Sequence, residues 1–462
     1  MRTTLVLAVF GSLLVAACAV AGKERYYISG GPATPMPTVA EGPGDAAVEQ
    51  MIKDLGSDDW RAREQAGRDL AAKGEKALPY MRRALQSTDN PEVQRRLVVL
   101  VKKMDFDRLV APKRVTLSAK DRTARQILED MAKQTGYKLQ LGDQLDAKYS
   151  FEFNNTPFWQ AIDALANKAG FTVYSEYEDD TIRIYNQDVL NPHVAYAGPF
   201  RFLATHINSS RNVQLSGVSK RGGNERVSEY MNLSFTVQSE PKNPMLGLSQ
   251  AELLEATDNL GGTLMPPKER NDSYRTNYYN RGSRSHNQSM SVSLTRGDRG
   301  ATSIKSLKGK VRIELLSGTS PEVVVLDPLK VKKQTFAGRT ADLEVTSVAE
   351  DANTKGAFTV SVTAKNRAAV DPNRGEDYQW AQNIQQKIEL ADDKGNRFFP
   401  YGLQQSNHVP GGLQMVMMFG PENRRTGVPS GIQFGPPARL VLNEWLTVTH
   451  EVTFEFKDIP LP

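Results

Sequence analysis

The chain has 462 residues, 39% apolar and 24% charged, with 58 basic against 53 acidic side chains and a net charge of +5. That balance supports folded domains, about three at this length, and the small positive excess does not by itself indicate a nucleic-acid or anionic-lipid partner. A single cysteine, Cys18, excludes an internal disulfide and any multi-cysteine metal site.

Met1-Arg2-Thr3-Thr4 precedes an apolar run from Leu5 to Val15 that is too short to span a bilayer. The run closes on Val15-Ala16-Ala17-Cys18, so a positive residue, a short apolar stretch and small residues before a cut appear in the order of an export signal. A thiol at that boundary resembles the lipobox of bacterial lipoproteins. The resemblance implies that Cys18 carries a lipid anchor holding the protein to a membrane. Ordinary signal-peptidase cleavage after Ala19-Val20-Ala21 is the alternative, with Cys18 discarded. Both routes treat residues 1–21 as a signal and place the protein in the periplasm or outside the cell. Both also leave the folded part without a cysteine nucleophile. Residues 22–45, broken by Gly30-Gly31-Pro32, Pro35, Pro37 and Pro43-Gly44, read as a flexible tether.

Residues 46–106 predict helix pairs. Val48, Met51, Ile52 and Leu55 fall on one helix face. Ala62, Ala66 and Leu70 fall on a second that Gly74 stops, and Leu78, Met81 and Leu85 on a third. Asn90 caps a fourth helix opened by Pro91 and burying Val93, Leu97, Leu100 and Val101. Asp59-Trp60-Arg61-Ala62-Arg63-Glu64-Gln65-Ala66, then Leu70, Gly74 and Leu78-Pro79, resembles HEAT-type repeats, which implies a protein-contact surface. Two hairpins fall below the usual minimum of about three repeats for a free-standing solenoid.

Residues 112–187 contain a repeat with a 34-residue spacing. Leu117, Gln126, Leu128, Met131, Ala132, Gly136 and Tyr137 return as Phe151, Gln160, Ile162, Leu165, Ala166, Gly170 and Phe171. The order β-α-β-β-α-β-β predicts a small α+β layer structure, with Thr156 capping the second helix and Pro157 opening it. The helices Thr123–Tyr137 and Thr156–Leu165 resemble those of the short N-terminal domain of secretins and TonB-dependent receptors. The resemblance implies partner binding in the periplasm without catalytic residues. The chain departs from that family in having no pore-forming or barrel segment afterwards.

From His193 the apolar period becomes two: Met231, Leu233, Phe235 and Val237; Val311, Ile313 and Leu315; Phe358, Val360 and Val362; Val452, Phe454 and Phe456. Antiparallel half-buried strands alternate in this way. Asp258-x-x-Gly261-x-x-Leu264 is echoed by Asp392-x-x-Gly395-x-x-Phe398, which hints at duplication. The reading is two mainly antiparallel β-sandwich domains, 193–330 and 331–462, similar in architecture to immunoglobulin-like modules of bacterial envelope proteins.

Candidate chemistry is thin. His450-Glu451 begins a zinc-peptidase motif, but Phe454 stands where the second histidine belongs, so His450 reads as a core residue. Gly247-Leu248-Ser249-Gln250-Ala251 misses the last glycine of a nucleophile elbow. Ser249 with Glu252 predicts instead a capping box opening a helix over residues 251–256. Five basic residues between Lys268 and Arg284 alternate with Tyr274, Tyr278 and Tyr279. This stretch is a candidate partner-binding loop, or a plain solvated loop. Trp159, beside the apolar stripe of its helix, is either an exposed partner anchor or packed on a sheet edge. The expectation is an exported, lipid-anchored scaffold that contacts envelope proteins, with no catalytic residue, metal or cofactor and no nucleic-acid partner. The alternative is an envelope hydrolase acting on peptide or glycan from the β-domain loops, which a histidine beside a serine would favour.

Overall fold

The computed structural model describes residues 45–142, 145–175, 181–185, 187, 191–213, 227–267, 284–297, 300–367, 384–422 and 433–462. Cys18, most of the 22–45 tether, and Tyr274, Tyr278 and Tyr279 lie outside the described residues. The molecule is multidomain, with a helical start and a large antiparallel β component.

Four helices come first: α1 (Ala46–Asp54), α2 (Trp60–Lys73), α3 (Leu78–Ser87) and α4 (Pro91–Val110). The Asp59 side chain accepts from Arg61 N at 3.0 Å, and Gly74, at φ 63°, ends α2. Asn90 Oδ1 accepts from the amides of Glu92 and Val93, so two of the orphan N–H groups at the start of α4 are satisfied. Val48, Ile52, Leu55, Ala66, Leu70, Met81, Val93 and Leu97 form the shared core. The last helix runs to Val110, past the expected boundary at 106, because Leu109 is buried at its far end.

The next unit is β1 (Arg114–Thr123), α5 (Ala124–Thr135), β2 (Lys138–Gln140), β3 (Lys148–Pro157), α6 (Phe158–Ala169), β4 (Thr172–Ser175) and β5 (Thr181–Tyr185). The 34-residue spacing holds in the backbone. Asp121 and Asn155 share φ near +50°, and Gly136 and Gly170 end their helices at φ 74° and 71°. Strands β1 and β3 pair antiparallel from Arg114↔Pro157 to Thr123↔Lys148, so each copy lies on the other about a local two-fold. A second sheet, β2-β5-β4, has β2 parallel to β5. One core joins both sheets to α5 and α6. One detail differs from expectation. Thr123 makes a capping box with Gln126, but Thr156 caps nothing; Pro157 is the N-cap residue of α6, and the Phe158 amide donates to Lys113 O at 2.8 Å. The main chain before β1 does the work of a cap.

The β region contains β6 (Val194–Ala197), β7 (Phe200–Val213), β8 (Val227–Ser239), β9 (Met245–Leu248), β10 (Glu252–Asp258), β11 (Asn287–Leu294) and β12 (Ser303–Leu326). It continues with β13 (Gln334–Ala337), β14 (Ala341–Glu350), β15 (Phe358–Asn366), β16 (Ile388–Asp392), β17 (Phe399–Val409), β18 (Gly412–Gly420) and β19 (Pro437–Pro460). Sheet β11-β8-β7-β6 faces one end of the sheet β10-β12-β19-β16, and sheet β13-β14-β15-β18-β17 faces the other. Strands β12 and β19 each have 24 residues and pair along their whole length.

The expected cut between 330 and 331 is therefore corrected. Val452, Phe454, Phe456 and Ile459, at the end of the chain, belong to the first core, while Val323 and Val325 of β12 belong to the second. The expected helix over 251–256 is also corrected. That segment is β10, because Leu253 and Ala256 are buried in the sandwich core and its backbone pairs with β12. Tertiary pairing overrides the local helix preference of Ala, Glu and Leu.

Candidate functional site

The buried polar groups of this molecule concentrate where α4, the α/β unit and the first sandwich meet. Trp159 is the centre of one cluster. The stripe Phe158, Ala161, Ile162 and Leu165 turns α6 toward its own core. Trp159 and Asp163, one turn apart, reach the neighbouring strands β6 and β7. Trp159 is 2% exposed, its Nε1 donates to Pro199 O at 3.1 Å, and the Arg201 guanidinium lies 4.2 Å from the ring centre. The expectation of an exposed anchor is thus corrected: the indole is consumed inside the chain, on a sheet edge.

Arg201 is itself buried. Its Nε donates to Gln238 Oε1 at 2.8 Å, its Nη1 pairs with Asp163, and the Tyr196 hydroxyl donates to Asp163 at 2.8 Å. Burial raises the Asp163 carboxyl above its ordinary range and lowers Arg201, while their mutual attraction opposes both shifts. The guanidinium keeps its proton, as arginine does in proteins. Removing either partner would leave an uncompensated buried charge.

The segment Glu240-Pro241-Lys242-Asn243 makes the second cluster. Lys242 Nζ donates to Arg108 O at 2.8 Å and also to Ala111 O, and Asn243 Nδ2 donates to Leu109 O. These are the carbonyls that the end of α4 leaves unpaired, and a cation there also suits the helix dipole. The Glu240 carboxylate accepts from Lys113 N at 3.0 Å and from the Tyr137 hydroxyl, and its own amide donates to Pro199 O. Glu240 therefore touches the start of β1, the α/β core and the turn before β7. Burial raises its carboxyl, and burial together with the Glu240 charge raises the Tyr137 phenol. Gly198, at φ 56°, completes the contact; a Cβ there would stand 2.8 Å from Val110 O.

His450 sits on β19 between Phe106 of α4, 5.4 Å edge-on, and Phe200, 6.3 Å away, and burial lowers its pKa. It packs as a ring among rings. Ser249 Oγ accepts from Arg312 N at 2.9 Å and donates to Gln250 O, so the hydroxyl serves a strand junction. The groove beside it holds about 190 Å³, below the roughly 300–1,000 Å³ of ligand pockets. A histidine does lie beside a serine elsewhere: Ser239 Oγ is 3.1 Å from His286 Nδ1, with the two residues 0% and 1% exposed. Among the described residues no group of three or more His, Cys, Asp or Glu could hold a metal ion, and no helix is long and apolar enough to cross a membrane.

Sequence reasoning missed Arg201, Asp163, Glu240 and Lys242, because their roles arise from residues tens of positions apart. It also passed over exposed aromatic side chains. Trp60 is 60% exposed at the first position of α2, and Tyr174 and Tyr185 stand on the outer face of β4 and β5. The alternation of Tyr174 with buried Val173 carried the only signal for that face.

No family model matches the chain, and no curated protein matches it. The distantly similar solved structures include two of bacterial proteins. One is a conserved domain protein from Bacillus anthracis, 8% identical, spanning 57% of this chain and 89% of that one at a TM-score of 0.16. The other is the Salmonella SPI-1 type III secretion injectisome basal body with InvG, PrgH and PrgK, 9% identical, spanning 75% and 92% at 0.14. Neither likeness is close enough to identify a shared fold.

Proposed function

We propose that this chain is an exported, lipid-anchored scaffold of the bacterial envelope that acts by contacting other proteins. One observation carries the reading: the buried Arg201 and Glu240, with the largely buried Asp163, tie domains to one another. A chain that invests its buried charges in domain orientation presents its outer surfaces at fixed angles. The helix pairs support a HEAT-like contact surface, with Trp60 outward on it. The β-α-β-β-α-β-β unit supports a secretin/TonB-type partner-binding domain, and the sandwiches support immunoglobulin-like spacers. The Cys18 boundary supports the anchor. Labelling with radioactive palmitate should mark the wild type and leave Cys18→Ala unlabelled. Crosslinking in cells should recover envelope proteins, and Trp60→Ala should lower that recovery with unfolding changed by no more than about 0.5 kcal/mol. Unchanged recovery removes the helical surface from the proposal.

The hydrolase reading rests on the Ser239–His286 contact. Against it stands burial, since a nucleophile must meet its substrate. Labelling of Ser239 by a fluorophosphonate probe, lost in Ser239→Ala, would favour this reading over the scaffold.

A further inference from the structure

The hairpin β17–β18 carries no charge. The chain is 24% charged, yet no Lys, Arg, Asp or Glu stands between Arg397 and Glu422, its longest stretch without one. In β18 the core is the reason, because Leu413, Met415, Met417 and Phe419 fill it. β17 has no such reason. It is an end strand of its sheet, and every residue from Leu403 to His408 is exposed, so both of its faces meet solvent. An open strand edge is a template for another strand, and charged side chains are the usual guard against it. Other edges of this molecule are guarded in that way: β1 carries Arg122, β3 carries Lys148, β10 carries Glu252 and Glu255, and β16 carries Glu389. Among the described residues, the remaining uncharged edges are four residues long, as in β4, β6, β9 and β13, or half buried, as in β11.

We propose that β17 pairs, antiparallel and about a two-fold axis, with β17 of a second copy of this chain. The bulges fix the register. β17 slips against β18 between Pro400 and Gly402 and again between Leu403 and Gln405, and runs regularly only from Gln405 to Val409. A bulge disrupts the ladder, so the pairing is confined to residues 405–409, and two copies meeting over that same segment are centred on Asn407. The Asn407 amides then face each other, Ser406 lies opposite His408, and Gln405 lies opposite Val409. No like charges meet, and the facing amides hydrogen-bond across the pair. A second copy fits better than an unlike strand, because an uncharged edge complements itself and offers a charged segment nothing to pair with. The contact joins the sheet β13-β14-β15-β18-β17 of one copy to that of the other as one continuous sheet.

Cysteine crosslinking of the full chain tests the register, in a Cys18→Ala background so that each introduced thiol is the only one. Directly opposed strand residues stand about 4.5–5.5 Å apart at Cα, within the span of a disulfide. Asn407→Cys should therefore oxidise to a covalent dimer. Leu403→Cys is exposed on the same strand, but its two copies would lie roughly 27 Å apart in this register and should stay unlinked. Where the wild type scatters light as a dimer, Asn407→Lys should scatter as a monomer, because it sets like charges opposite each other. An Asn407→Cys chain that stays monomeric under oxidation overturns the proposal. So does equal linking through Leu403→Cys, which marks random collision, or linking of Asn407→Cys only to other proteins. A wild type that scatters as a monomer at every concentration overturns it as well, as does an Asn407→Lys chain that remains dimeric.

Discussion

Two regions of this molecule are built by duplication, and they close differently. In the α/β unit each 34-residue copy brings its own strand, helix and second strand, and the copies meet through β1 and β3. In the β region the copies are 134 residues apart. Strand β19 is displaced from β12 by that interval at both ends, and β16 ends 134 residues after β10. The turn after each also repeats. Asp258 and Asp392 both accept from the amide four residues on, and both are followed by a glycine at φ 84°. Yet neither β copy is closed, because β12 and β19 each run through both cores. A short repeat can fold on itself once. A long one that shares its central strands makes two cores into one cooperative structure.

The harshest way to break this comparison is to end the chain after Lys330. The first core then lacks Val452, Phe454, Phe456 and Ile459, and each phenylalanine alone is worth about 3–5 kcal/mol. The truncated chain should show no cooperative unfolding transition and no slow amide exchange in β7 and β8; a normal transition would show that the copies are independent. Arg201→Ala should lower the denaturant midpoint by the equivalent of about 3–5 kcal/mol. A double-mutant cycle with Asp163→Ala should then recover much of the second loss.

The equivalence of the copies can be sharpened at their turns. Asp392 accepts from Asn396 N, Asn396 Nδ2 and Gly435 N, whereas Asp258 accepts from Leu260 N and Gly262 N, and among the described residues its Oδ2 has no partner. Alanine at either site should destabilise by about 1–3 kcal/mol, with the larger loss at Asp392. Gly136→Ala and Gly170→Ala should each lose about 1–2 kcal/mol, because both positions are left-handed. Matching losses support equivalent copies in the α/β unit.

The smallest expected effect is a pH slope. The folded protein holds His450 neutral, with its pKa below the ordinary 6.5. The unfolded chain therefore binds more protons as pH falls through that value, and stability declines with it until the folded-state pKa is passed. Melting temperatures measured from about pH 7.5 down to about pH 5.5 should fall more steeply for the wild type than for His450→Gln. Parallel curves would remove His450 from the α4 contact.

The helices, the 34-residue repeat and most strands were legible in the sequence, because each depends on caps and apolar spacing among near neighbours. Asn90-Pro91, Gly136 and Gly170 announce their own local geometry. The segment 251–256 was not legible. Ala, Glu and Leu suit a helix when read locally, and only pairing with β12 makes a strand of them.

The sequence by itself determined where the backbone turns and which faces are apolar, since capping, left-handed glycines and periodicity act over a few residues. Only the tertiary structure decided that the last 24-residue strand returns to the first core, that Trp159 is buried, and that Glu240 holds three layers together. Those outcomes depend on contacts between residues 40 to more than 100 positions apart. The free energy of such contacts exists only after the chain has folded around them.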